Sequence, residues 1–220
     1  DATMTLPAGL FSLDHQRIYN ATPQNGQTTI TITNAQSGAT LRTFTIAGTY
    51  STAGTPTYTT AALTLDGKWM ALRASDQVGG TIALIDTQAG TLSTKLNLDK
   101  NFYLDALSPD GGTVFLLQYL PGQAGRYYVR SYDVGTNHLN EAIIADKAEL
   151  NDPRMQGSAL TRQMSKDGKF AYTLYIDSTH NSAFVHILPL VQGNNLPYPP
   201  NIARCLDLPV GKTADLLHYY

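Results

Sequence analysis

The side chains able to do chemistry are few in this sequence, and they are scattered. Asp105 stands in the short apolar run Tyr103-Leu104-Asp105-Ala106-Leu107, and Asp215 in the matching run Thr213-Ala214-Asp215-Leu216-Leu217. Arg162 holds the equivalent place within Leu160 to Met164. Two carboxylates could ligate a hard cation, but such sites normally take about six to eight oxygens. With a guanidinium nearby, an ion pair is the expected arrangement. His180 follows Asp177 in a polar stretch and could titrate near neutral pH. Arg154 with Asp152 offers charge, and Tyr119 with Tyr127 and Tyr128 flanks a Gly-containing stretch where a sugar or peptide could stack.

The remaining candidates point away from catalysis. His15, His138, His186 and His218 share no spacing with one another or with a nucleophile. Cys205 is the sole cysteine, so there is no internal disulfide, and it lacks companions at zinc-ligand spacing. No Gly-x-Ser-x-Gly elbow and no phosphate-binding Gly-rich loop occurs. The expected chemistry is binding, with no cofactor, no metal and no catalytic residue. Asn20-Ala21-Thr22 matches a glycosylation triplet that decides nothing alone.

Composition narrows the partners. The chain has 220 residues, 42% hydrophobic, only 15% charged, with a formal net charge of -2. No large basic surface is available for phosphate backbones, so nucleic acid is not an expected partner. Apolar stretches such as Phe184 to Val191 fall far short of the roughly 20 residues a spanning helix needs. Low charge with much Thr, Ser, Gly, Asn and Tyr suits a secreted or extracytoplasmic domain.

The elements that must position these groups come from repetition. One phrase recurs, as Ser12-Leu13-Asp14-His15, Thr64-Leu65-Asp66-Gly67, Ser108-Pro109-Asp110-Gly111 and Ser165-Lys166-Asp167-Gly168. The copies lie roughly 45 to 57 residues apart, the span of a four-stranded blade. Short apolar runs flank each copy, which makes it a hairpin turn, with Asp-Gly supplying the positive φ of a two-residue connection. A second turn phrase follows as Asn34-Ala35-Gln36-Ser37-Gly38, Asp86-Thr87-Gln88-Ala89-Gly90 and Asp133-Val134-Gly135-Thr136-Asn137, and is degenerate at Leu188 to Gly193. Fourth strands are expected at Leu41 to Ile46, Leu92 to Leu98, Leu139 to Ile144 and Ile202 to Leu208. Apolar and polar residues alternate in Thr29-Ile30-Thr31-Ile32-Thr33, as a half-buried strand requires. The best helical candidate, Ala145 to Leu150, is one or two turns at most.

The Ser-Pro-Asp-Gly and Ile-Asp-Thr-Gln-Ala-Gly turns resemble those of YVTN-type propeller repeats, over nearly the whole chain. The resemblance implies an all-β propeller of radially arranged four-stranded antiparallel blades, with relatives among surface-layer proteins and lactonase-like enzymes. About four blades are expected, near 8–48, 59–99, 103–146 and 158–209. Residues 210–220 read as the start of a further blade, so the 1–220 domain is expected to be a segment of a larger ring. In lactonase-like relatives a divalent metal is held near the first-strand positions that Asp105 and Asp215 occupy here.

A propeller binds at its channel mouth, through the loops between second and third strands and the loops leading into each first strand. Asp105, Arg162, Asp215, Tyr119, Arg154 and His180 are therefore the candidate binding residues. The expected function is a non-enzymatic module for a protein or small-molecule ligand, with the remaining blades or another chain as further partners. The alternative is a lactonase-like or other hydrolase whose site is completed by blades outside this chain.

Overall fold

The structure is a computed structural model that describes residues 9–52, 60–74, 80–148, 150–191 and 202–209. Among these there is no helix, and none long and apolar enough to cross a membrane. Four antiparallel meanders follow the chain. Sheet 1 is β1 (Leu10–Phe11), β2 (Arg17–Gln24), β3 (Gln27–Asn34) and β4 (Thr40–Ala47), paired in that order. Sheet 2 is β5 (Ala61–Leu63), β6 (Trp69–Arg73), β7 (Ile82–Asp86) and β8 (Thr91–Leu96). Sheet 3 is β9 (Phe102–Leu107), β10 (Thr113–Tyr119), β11 (Arg126–Asp133) and β12 (His138–Leu139). Two short strands follow, β13 (Ala145–Asp146) and β14 (Met155–Gln156). Sheet 4 is then β15 (Ser158–Met164), β16 (Phe170–Asp177), β17 (Ser182–Pro189) and β18 (Ile202–Asp207).

The recurring turn is built from side chains. In each copy the Ser or Thr hydroxyl donates to the aspartate: Ser12 to Asp14 at 2.5 Å, Thr64 to Asp66 at 2.7 Å, Ser108 to Asp110 and Ser165 to Asp167 at 2.6 Å. The same carboxylate accepts the amide two residues on, from Gln16, Lys68, Gly112 and Lys169. The hydroxyl in turn accepts the amide that opens the second strand, from Arg17, Trp69, Thr113 and Phe170. Such side-chain bonds replace ladder bonds that a chain reversal must give up.

The turn is longer than the two-residue connection expected. The ladder closes between Thr64 and Trp69, and the Gly67 amide donates to the Thr64 carbonyl inside that loop. Only the last position of the phrase is left-handed, with φ of 70° at Gly67, 72° at Gly111 and 71° at Gly168. His15 keeps the conformation without glycine, at φ 53°. In the second turn phrase Asn34 and Asp86 each accept two amides through one side-chain oxygen, and Asn137 at φ 55° stands where Gly38 and Gly90 do.

Two expectations fail between sheets 3 and 4. The run Leu139 to Ile144 is not one fourth strand: β12 ends at Leu139, and Ile144 makes a single bridge to Val129. Ala145 and Asp146, inside the helical candidate, instead form β13, which pairs in parallel with Ile202 and Ala203 of β18. Both differences follow from edge strands, whose unpaired groups take whichever partner tertiary packing brings. Likewise β17 continues to Pro189, because Pro can end a strand where its missing donor is not needed. Of the degenerate turn phrase Leu188 to Gly193, Leu188 and Pro189 thus belong to β17, and residues 192–193 lie outside the described residues.

The chain divides into two compact units, one holding sheets 1 and 2 and the other sheets 3 and 4. In the first, Tyr19, Ala21, Ile30 and Ile32 pack on Met70, Leu72, Ala83 and Ile85. In the second, Phe115, Leu117, Tyr127 and Val129 pack on Ala171, Tyr175, Leu188 and Ala203. Each core is thus a sandwich of alternating side chains from two sheets, the arrangement that lets an amphipathic sheet hide its apolar face.

Candidate functional site

Both notable clusters belong to the second unit. The first is buried. β9 places Asp105 at 1% exposure, and the guanidinium of Arg162 on β15 pairs with it. Arg162 Nε also donates to Thr173 Oγ1 at 2.9 Å, which fixes the plane of its fork. Around this pair lie Tyr127, Tyr175 and His186, each at 0% exposure. The Tyr127 and Tyr175 rings stack at 5.9 Å, and His186 meets Tyr175 edge-on at 6.1 Å. Neither hydroxyl, neither His186 nitrogen, nor Asp105 Oδ2 makes a hydrogen bond of good geometry. Burial pushes the Tyr127 and Tyr175 phenols well up, and it pushes the His186 imidazole down to about 4. His186 is therefore neutral at physiological pH.

The second cluster is a cleft of about 370 Å³. Phe184, Met155 and Cys205 of β18 are among its lining residues. The walls come from two loops. The β16–β17 loop brings His180 Nδ1 to 2.5 Å from Asp177 Oδ2. Asp177 is further held by the amides of Thr179 and His180. Burial raises the Asp177 carboxyl, but the His180 ring and these amides outweigh it, so its pKa stays below the usual range. The β13–β14 loop brings Arg154, whose Nε and Nη2 each reach an Asp152 oxygen at 2.6 Å. That bidentate pair lowers Asp152 to about 2. On the same side, Asp146 Oδ2 accepts the Cys205 amide at 3.1 Å. The cleft is therefore lined by the hydrogen-bonded His180–Asp177 pair, the bidentate Arg154–Asp152 ion pair and the apolar side chains of Phe184 and Met155, a surface for recognising a ligand with both polar and apolar parts.

The candidate residues thus separate. Arg154 and His180, distant in sequence, line one cleft. Asp105 and Arg162 pair with each other, but Asp105 is buried and so removed from any mouth. Tyr119 is half-buried in a row of rings, 5.2 Å from Tyr103 and 5.3 Å from Tyr127, and does not line the cleft. Asp215 lies outside the described residues. Among those described, no group of three or more His, Cys, Asp or Glu side chains is placed to hold a metal ion.

Sequence reasoning missed His186, grouped above with unremarkable histidines. Period-two alternation could have found it, since His186 shares a strand face with Phe184 and Leu188. Phe184 and Cys205 in the cleft carried no sequence signal.

No protein-family model matches this chain, and no curated protein matches it. Solved structures do. It is similar to the putative TolB from Agrobacterium tumefaciens at 14% identity and TM-score 0.52, over 83% of this chain and 57% of that one. It also resembles TolB from Acinetobacter baumannii (16% identity, TM-score 0.48, 90% of this chain and 42% of that one). A third likeness is to the Cps50 (Swd1) β-propeller domain of Myceliophteria thermophila (10% identity, TM-score 0.45, 92% and 73%). The chain spans about half the length of the first solved structures it matches. At these identities a likeness shows fold alone: the fold is all-β, with four-stranded antiparallel sheets of β-propeller type.

Proposed function

We propose that this chain is a non-enzymatic binding module of a YVTN-type propeller, acting outside the cytoplasm on a protein or small-molecule ligand. The observation that carries the reading is the cleft that Arg154 and His180 line together with Phe184 and Met155. Loops on a rigid β scaffold are where binding residues concentrate. Two such loops line the cleft, one held by the Arg154–Asp152 ion pair and the other by the His180–Asp177 hydrogen bond. The low charge and polar, tyrosine-rich composition supports the extracytoplasmic setting, and the Ser-Pro-Asp-Gly turn supports the repeat family.

A panel of short peptides and oligosaccharides titrated into isotopically labelled protein tests this. The expected result is saturable chemical-shift change at Arg154, His180 and Phe184, lost in Arg154→Ala and in His180→Ala while the rest of the spectrum is retained. Shifts mapping elsewhere would overturn the site. Turnover in a parallel lactone and ester panel would overturn the non-enzymatic reading and favour the hydrolase.

A further inference from the structure

The buried cluster of the second unit is brought together by strand register. Asp105 is the bulged residue of sheet 3: the β9–β10 ladder passes from Leu104 opposite Leu116 to Ala106 opposite Phe115, and Asp105 lies between them with no counterpart. A bulge re-aims a side chain, and this one pairs with Arg162 of sheet 4. In sheet 4, Arg162, Thr173 and His186 stand opposite one another across β15, β16 and β17. Tyr175, two residues after Thr173, shares their face, and Tyr127 of sheet 3 stacks on it.

Arg162 donates to Asp105 Oδ1 and to Thr173 Oγ1. That leaves Asp105 Oδ2, which can only accept, and the Tyr127 and Tyr175 hydroxyls, each able to donate and accept. It also leaves the two nitrogens of a neutral His186, one donor and one acceptor. None of these atoms has a protein partner of good geometry among the described residues, and none reaches bulk solvent. They are also close together: the phenols act on each other, and the Asp105 charge is felt at both phenols and at the imidazole. One buried polar group left unpaired costs at least what a typical hydrogen bond contributes, so a whole cluster would consume much of a domain's ordinary stability. Native cores meet such a need with internal water, which makes about three hydrogen bonds to groups the protein itself does not pair.

Charge decides what kind of ligand fits. Asp105 is balanced by Arg162, both phenols hold their protons, and His186 is neutral, so the cluster carries no net charge. A cation would be set against the Arg162 guanidinium, and an anion against the Asp105 carboxylate. A neutral molecule that both donates and accepts matches the groups left over: it can donate to Asp105 Oδ2 and accept from a phenol or the imidazole. We propose that the core between sheets 3 and 4 binds water, held by Asp105 Oδ2, the Tyr127 and Tyr175 hydroxyls and His186.

Magnetic relaxation dispersion of the water oxygen, measured on the full chain, tests this, because it counts waters held for longer than the protein takes to tumble. The expected result is a long-lived population that falls by about one water or more when Tyr127→Phe and Tyr175→Phe are combined. Tyr172→Phe, at an exposed ring on the opposite face of β16, leaves the population unchanged. Near-ultraviolet circular dichroism verifies that each variant folds, and His186→Phe repeats the test at a second position should the double variant not fold. A wild-type chain with no long-lived water overturns the proposal. So does a population indifferent to both the double variant and His186→Phe. Chemical shifts at Tyr127, Tyr175 or His186 that move when sodium chloride is exchanged for potassium chloride at equal ionic strength would show a bound cation, and would overturn it as well.

Discussion

Gly67 and Gly38 share a left-handed backbone yet differ in what surrounds them. Both have φ near that of a left-handed residue, 70° and 69°. A β-carbon on Gly38 meets nothing within 4 Å, whereas on Gly67 it runs into the Tyr19 hydroxyl. Gly38→Ala should therefore cost about 1 kcal/mol, the backbone term alone. Gly67→Ala should cost distinctly more, because Tyr19 is itself buried and has little room to move. Chemical denaturation of both variants checks the order. His186 makes a second prediction at this scale. Its folded pKa lies near 4 against an ordinary 6.5, so below about pH 6.5 the unfolded chain takes up a proton that the fold refuses. Stability from this residue is present above pH 6.5 and is lost as pH falls toward 4. The shift corresponds to roughly 3 kcal/mol. The charges of Asp105, Arg162 and Asp146 act on the ring and Tyr175 packs edge-on against it, and all four side chains are retained in a His186→Phe variant. The drop in stability between about pH 7 and about pH 4.5 should be smaller in that variant by an amount of this order.

At the scale of elements, the Asp105–Arg162 pair ties the first strand of sheet 3 to the first strand of sheet 4. A buried pair is weak evidence for net stability, since desolvation offsets the attraction, but breaking it strands a charge. Asp105→Ala should destabilise by about 3 to 5 kcal/mol, and Asp105→Ala with Arg162→Met by clearly less than the sum of the single changes. A double-mutant cycle by urea denaturation reads this coupling, and additive losses would show that the two side chains act separately. The turns work at shorter range. Ser12, Ser108 and Ser165 hydroxyls hold Asp14, Asp110 and Asp167 below the usual carboxylate range, which keeps these turn aspartates ionised as hydrogen-bond acceptors for the hairpins.

Across the whole molecule, the same repeat does different things according to what lies beside it. Tyr19 and Ala21 of sheet 1 and Phe115 and Leu117 of sheet 3 are buried on a neighbour within their own unit, whereas Tyr172 and Leu174 of sheet 4, at the same places after the turn aspartate, are exposed or half-buried. The strand order within every meander is that of the chain, and only β13 and β14 leave it. Those two lie either side of the loop that delivers Arg154 to the cleft, so the departure from the repeat and the candidate site are one feature.

The sequence by itself determined the local structure. Turn aspartates, left-handed glycines and period-two alternation act over a few residues, so the four meanders could be read directly, along with the absence of any long helix from the described residues. Their common distance of five residues before the turn aspartates Asp110 and Asp167 also placed Asp105 and Arg162 on equivalent strand positions, from which an ion pair was the expected outcome. Tertiary structure alone decided the rest. The identity of β13 depended on which edge was within reach, because an edge strand's hydrogen bonds are satisfied by proximity and not by composition. The burial of Asp105 and His186 depended on which sheet covers which face. Arg154 and His180 meet Phe184 and Cys205 only because two loops and two strands converge, and convergence between distant segments leaves no periodic trace in a chain.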